Sequence, residues 1–227
     1  MKSAAIIGTG SYCPPAVLTN ADIEKMVDTS DEWIKTRTGI TQRRIAEKGV
    51  GASDLGFEAA KKAVEMAGID KNEIELVLVA TITPDMTFPS AAVIIQNRLE
   101  IEEAAAADIS ATCSGFLYGL SIANQYIKTG EHKTILLVGA DVLSSITDWK
   151  DRDTCILFGD GAGAVVIKQA DNGRGILGTY TGIVTKKMDI LKIPFGGSRH
   201  PLTPENIGDR QHFIQMEGKE VFKCAVL

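Results

Sequence analysis

The 227-residue sequence predicts an α/β protein in which a sheet is covered by helices on both faces. Three observations carry this prediction. Almost uninterrupted apolar runs at 74–80 (Ile-Glu-Leu-Val-Leu-Val-Ala) and 134–138 have the composition of buried strands. Segments with apolar residues at helical spacing, 53–67 and 114–129, are each followed by a glycine, Gly68 and Gly130, where a left-handed cap is expected. Strand and helix patterns then alternate along most of the chain.

Taken in order, residues 4–7 form a first strand that runs into Gly8-Thr9-Gly10-Ser11. A dinucleotide-binding loop is excluded there, because the third glycine of the pattern is Cys13 and Pro14-Pro15 blocks the helix that should follow. Asn20 is expected to cap a short helix over 21–27, and Thr29-Ser30-Asp31-Glu32 to open a second over 31–36 as a capping box. Ser53 and Asp54 start the next helix. Residues 89–99 read as another, with Pro89 in its first turn. Small apolar residues at 104–111 form a strand that leads into the helix at 114–129. After the strand at 134–138 comes an irregular polar stretch, 144–154. Residues 155–158 and 164–167 read as strands on either side of a tight glycine turn, Gly159-Asp160-Gly161-Ala162-Gly163. A composition shift at 169–175 divides the chain into 1–170 and 171–227, with a new strand beginning at 176–184. Residues 196–209 are a surface loop, and 217–227 begin a helix without a C-terminal signal, as if the chain were truncated.

Composition narrows the function. A net charge of −5 argues against general nucleic-acid binding, and no apolar run is long enough to span a bilayer. Residues 1–8 carry one lysine and too short an apolar run for a signal peptide, so a cytoplasmic protein without a membrane partner is expected. The four cysteines (Cys13, Cys113, Cys155, Cys224) and three histidines (His132, His200, His212) are scattered, with no zinc-ligand spacing and no C-x-x-C pair. No metal is therefore expected.

Cys113 stands apart. It falls between the strand at 104–111 and the helix at 114–129, a sharp junction at the positive end of a long helix. Unpaired amides and the helix dipole favour thiolate over thiol there, which suits a cysteine that accepts an acyl group. Position alone also admits a buried structural cysteine. Residues 33–46 carry Lys35, Arg37, Arg43 and Arg44 and no acidic residue. Beside Trp33 these guanidinium groups suit a base with phosphates, although a core tryptophan and a solvated basic face fit the same pattern.

Several motifs together resemble one family: Gly8-Thr9-Gly10-Ser11-Tyr12, the block 19–39, Ala111-Thr112-Cys113-Ser114-Gly115-Phe116, Phe158-Gly159-Asp160-Gly161-Ala162-Gly163-Ala164, and Gly218-Lys219-Glu220-Val221-Phe222-Lys223. They are similar to the β-ketoacyl-acyl-carrier-protein synthase III family of thiolase-fold condensing enzymes. The resemblance implies a thiolase-like fold of two related α/β halves, usually in a homodimer. Its implied activity is an acyl transfer and decarboxylative condensation that starts type II fatty-acid synthesis. Cys113 would take an acyl group, normally acetyl, from acyl-CoA, which is a substrate rather than a cofactor, and malonyl-acyl carrier protein would supply the attacking carbanion. Thr29, Trp33, Arg37 and Arg152 match the CoA site. Phe158, Met216 and Phe222 match the pantetheine tunnel, and Phe88 a residue that closes the acyl pocket of the partner subunit. Lys219 and Lys223 are candidates for contact with the acidic carrier protein.

The sequence departs from the family's pattern in two places. The family's second-half histidine and asparagine have no counterpart before Leu227, and none of His132, His200 and His212 lies in a matching motif. Asp153 also follows Arg152 where a glycine is frequent. Two alternatives stay open: a related ketosynthase (polyketide-priming or alkylquinolone-type) using the same cysteine, and a non-catalytic truncated fragment that binds CoA.

Overall fold

A computed structural model describes residues 3–170 and 174–226. In chain order the elements are β1 (Ser3–Tyr12), β2 (Val17–Thr19), α1 (Asn20–Ile23), α2 (Asp31–Thr38), β3 (Gln42–Arg44), α3 (Ala52–Ala67), β4 (Leu76–Ala80), α4 (Ala91–Arg98), β5 (Ala105–Ile109), α5 (Gly115–Thr129), β6 (Thr134–Val142), α6 (Arg152–Cys155), β7 (Asp160–Ala170), β8 (Leu191–Lys192), β9 (Gln215–Met216) and α7 (Gly218–Val226). They fall into two compact units. The first comprises 1–15, 46–142 and 160–181, and the second 16–45, 143–159 and 182–227.

The first unit is a three-layer sandwich around a mixed sheet of order β1-β7-β6-β4-β5. β4 pairs parallel with β5 and β6, whereas β7 is antiparallel to both β6 and β1. Alternate residues of each central strand enter opposite cores, as the pleat requires. Val77, Val79, Leu136 and Val138 join the cluster beneath α3 and α4, while Leu76, Leu78, Ile135 and Leu137 join the one beneath α5. Burial on both faces explains why these strands read as continuous apolar runs. Gly8 and Gly10 lie inside β1, where a Cβ would meet the Ala63 and Ala59 carbonyl oxygens of α3 at 2.3 and 2.1 Å. Their role is close helix–sheet contact, and not a phosphate loop.

The second unit has a small core of Ile23, Ile34, Cys155 and Ile156, flanked by Leu18, Trp33, Trp149 and Leu157. Arg43 is buried beside it. Its guanidinium donates to Asn20 Oδ1 (2.6 Å) and twice to the Ile156 carbonyl (3.2 and 2.5 Å). Asn20 donates in turn to Asp31 and to the Ile40 carbonyl.

Several sequence expectations are corrected here. Asn20 is not a cap; Thr19 holds that place in a reciprocal pair with Asp22, which leaves Asn20 free to serve the buried network. Ser30, and not a Thr29-based box, caps α2 by accepting from the Trp33 amide. Pro89 precedes the cap Ser90, and α4 starts only at Ala91. The glycine run 159–163 is not a turn between two strands: 155 ends α6, and Asp160 starts the long strand β7. Small residues there pair with β1 and β6 on both sides, a long-range outcome that local turn chemistry cannot foresee. Residues 176–184 form no strand; Ile176 makes one backbone bond, to the Ala4 carbonyl, and most of the stretch is exposed. Within the composition shift at 169–175, residues 171–173 lie outside the described residues, as does Leu227. No described helix is long and apolar enough to cross a membrane.

Candidate active site

The strand β5 ends at Ile109, and the chain turns through a single 3₁₀ turn, Thr112–Ser114, into α5. Thr112 makes this turn possible at a cost. Its φ of 47° lies in the left-handed region, which a β-branched residue occupies with about 1–3 kcal/mol of strain. Cys113 follows directly and is exposed. Asp108 braces the preceding strand by accepting the Ala91 and Ala92 amides at 2.9 and 2.8 Å. On the far side, Gly115 and Gly119 let α5 lie against the sheet: a Cβ on Gly119 would fall 2.4 Å from Leu137 Cδ1, and one on Gly115 3.0 Å from Ala80 Cβ. Ser114 makes no side-chain capping bond at the helix start.

The other cysteine of interest is different in kind. Cys155 is fully buried, and burial, followed by the nearby Asp151 carboxylate, pushes its thiol above the ordinary range. It is a core residue. Cys113, by contrast, is exposed at a strained strand–helix junction.

Phe88 also belongs to the first unit and stands 82% exposed. The loop that carries it is anchored ahead of Phe88 by two carboxylates. Asp141 accepts from the Thr81 and Thr83 hydroxyls and the Ile82 amide, and Asp85 accepts from the Ser53 amide and hydroxyl.

The remaining predicted site residues lie in the second unit. Trp33 and Arg152 are brought together, with the guanidinium carbon 4.5 Å from the ring centre. The ring is half-buried against the small core, and a guanidinium at this distance is attracted to the ring's π-system. Among the described residues Arg152 makes no ion pair; Asp151 instead accepts from the Asp153 amide and the Thr154 hydroxyl, starting α6. Arg37 lies one turn beyond Trp33 on α2 and is exposed. The Thr29 hydroxyl is buried without a hydrogen-bond partner among the described residues. Phe158 and Met216 are half-buried, and Phe222 is 67% exposed on α7. Of the basic cluster at 33–46, Arg43 is committed to the buried network and Lys35 pairs with Asp31.

Sequence reading missed one feature of this unit. Arg210 adopts a left-handed backbone, φ 59°, and its guanidinium grips Asp148 with both Nε (2.8 Å) and Nη2. Nothing local marks two residues 62 positions apart as partners; only an arginine preceded by polar, turn-prone sequence was visible.

The helix-covered mixed sheet has the thiolase-type fold of solved condensing enzymes. The 3-oxoacyl-[acyl-carrier-protein] synthase III of Aquifex aeolicus superposes with a TM-score of 0.86 at 45% identity, over 97% of this chain and 67% of that one. A priming β-ketosynthase of a polyketide biosynthetic pathway gives 0.89 at 34% identity, over 99% and 66%. The family model described as 3-oxoacyl-[acyl-carrier-protein (ACP)] synthase III matches residues 107–183. Over 224 residues the chain is 54% identical to the β-ketoacyl-[acyl-carrier-protein] synthase III of Caldanaerobacter subterraneus, covering 99% of this chain and 68% of that relative. A Chlamydia caviae protein of the same name is 48% identical over 227 residues, covering 100% and 68%. The chain belongs to the β-ketoacyl-[acyl-carrier-protein] synthase III family, condensing enzymes of fatty-acid biosynthesis.

Proposed function

We propose that the protein condenses an acyl-CoA, normally acetyl-CoA, with malonyl-acyl carrier protein through a thioester on Cys113. The observation that carries this reading is the exposed Cys113 immediately after the strained Thr112 and at the start of α5. In the first half-reaction the Cys113 thiolate attacks the thioester carbonyl. The tetrahedral oxyanion collapses, the C–S bond to CoA breaks, and the CoA sulfur leaves and takes up a proton. The Cys113 amide is one donor for the oxyanion. In the second half-reaction malonyl-acyl carrier protein loses CO₂. The resulting carbanion attacks the acyl-Cys113 carbonyl and releases the thiolate with a β-ketoacyl product on the carrier.

The Trp33–Arg152 pair supports a nucleotide subsite: an aromatic plate and a guanidinium suit the base and phosphates of CoA, with Arg37 on the same helix and the unpartnered Thr29 hydroxyl beside them in sequence. Phe158, Met216 and Phe222 are assigned to the pantetheine path. The exposed Phe88 fits a residue that closes the acyl pocket of a second copy in a homodimer. A division between residues 170 and 171 belongs to the same proposal, as do a cytoplasmic location and the absence of any cofactor. A polyketide-priming role is weaker, since that relative is 34% identical against 54% for a fatty-acid enzyme.

Radiolabelled acetyl-CoA is expected to label the protein on Cys113, with Cys113→Ala abolishing the label. Label that survives the substitution, or none on the unsubstituted protein, refutes the assignment.

A further inference from the structure

The second unit contains one ion pair unlike the rest. Most of the other pairs join side chains that are both at least a third exposed, several only three or four residues apart, where salt and solvent leave little net effect. Asp148 and Arg210 are 62 residues apart, and the Asp148 side chain is only 15% exposed. Arg210 meets it with two prongs, places its guanidinium 5.2 Å from the Phe213 ring centre, and does so from a left-handed backbone. Four residues later the Ile214 amide donates to the Ile146 carbonyl at 2.9 Å. The segment 210–214 is thus tied at two points to the segment 146–148.

From Asp148 the connections run on toward Arg152. The Asp148 carboxylate accepts the Lys150 amide at 2.8 Å, and its carbonyl accepts the Asp151 amide at 3.0 Å. Asp151 caps α6, and Arg152 is the first residue of that helix, with its guanidinium over Trp33. Arg152 has no ion pair of its own among the described residues, so its place is set by the turn that carries it. A base that binds against Trp33 has to displace or stack with this guanidinium. A fixed turn confines that movement to the arginine side chain.

We infer that Asp148 and Arg210 are a positioning pair for the nucleotide end of the acyl-CoA, holding the 148–151 turn so that Arg152 is presented to the Trp33 face. The inference rests on the proposed nucleotide subsite and deepens it. Neither residue touches the nucleotide; both act through Arg152.

The test needs no turnover. The chain has two tryptophans, Trp33 and Trp149, so Trp149→Phe leaves Trp33 as the single emitter. Free coenzyme A is titrated against this parent and quenching is followed. Arg210→Gly is the first variant, because glycine accepts the left-handed backbone and the protein loses the guanidinium without local strain. Asp148→Asn is the second. Each is expected to weaken CoA binding on the order of tenfold, the scale of a charge-assisted pair, and to alter unliganded Trp33 emission as Arg152 leaves the ring. The double variant is expected to be no worse than either single one. A CoA affinity within twofold of the parent in both variants overturns the inference and leaves the subsite standing. If the parent itself shows no saturable quenching by CoA, the subsite at Trp33 is wrong, and the inference falls with it.

Discussion

At the scale of single residues, the same side-chain type is put to opposite uses according to where the fold leaves it. Arg43 and Arg152 are both arginines near Trp33 in the reading of the sequence, yet one is 4% exposed and spends its donors on Asn20 and the Ile156 carbonyl, while the other lies over an aromatic face. Cys155 and Cys113 divide in the same way between core and surface. Asp22 shows how local bonding alone can set a charge. The Thr19 hydroxyl, then Lys25, hold its carboxyl at about 2, below the ordinary 3.8. Because the folded value is the lower one, the reciprocal Thr19–Asp22 cap contributes fully above pH 3.8 and is lost as pH falls toward 2. Titration of the Asp22 carboxyl carbon by NMR is expected to give a midpoint near 2. A midpoint at the ordinary value would show that the cap is not formed in solution.

Among the elements, contact between α3 and β1 depends on residues with no side chain. The Cβ of an alanine at Gly10 would lie 2.1 Å from the Ala59 carbonyl oxygen and 2.6 Å from the Ala63 amide, both backbone atoms that cannot rotate away. Gly68, at the end of the same helix, has φ 63° and nothing within 4 Å of its would-be Cβ. The two glycines therefore serve different ends, close approach and backbone conformation. Gly10→Ala is expected to cost about 3 kcal/mol, and Gly68→Ala about 1 kcal/mol, in urea unfolding with the slope unchanged. Equal costs would mean that α3 can move off the sheet freely. The junction at Cys113 follows a similar logic, since Gly115 and Gly119 bring α5 down onto Ala80 and Leu137.

Over the whole molecule, burial is unevenly shared. The first unit holds a five-stranded sheet with apolar clusters on both faces, whereas the sheets of the second have two strands of two or three residues each. Short two-stranded ribbons are marginal on their own. Amide hydrogen exchange is expected to be slowest in β4, β6 and β7, with strands β2, β3, β8 and β9 exchanging orders of magnitude faster. Comparable protection in β2 and β6 would contradict this ranking.

The class of fold, the strands at 74–80 and 134–138, the caps at Gly68 and Gly130, and Cys113 at a strand–helix turn were all readable from the chain alone. Each of these is written in local periodicity or in one contiguous motif. Family membership was legible for the same reason, through blocks of adjacent residues. That residues 160–163 begin a strand, that Arg43 is buried, and that Asp148 is held by Arg210 follow only from long-range packing. Those outcomes depend on partners brought together from distant positions, and pairing across a sheet or an ion pair leaves no mark on either stretch of chain alone.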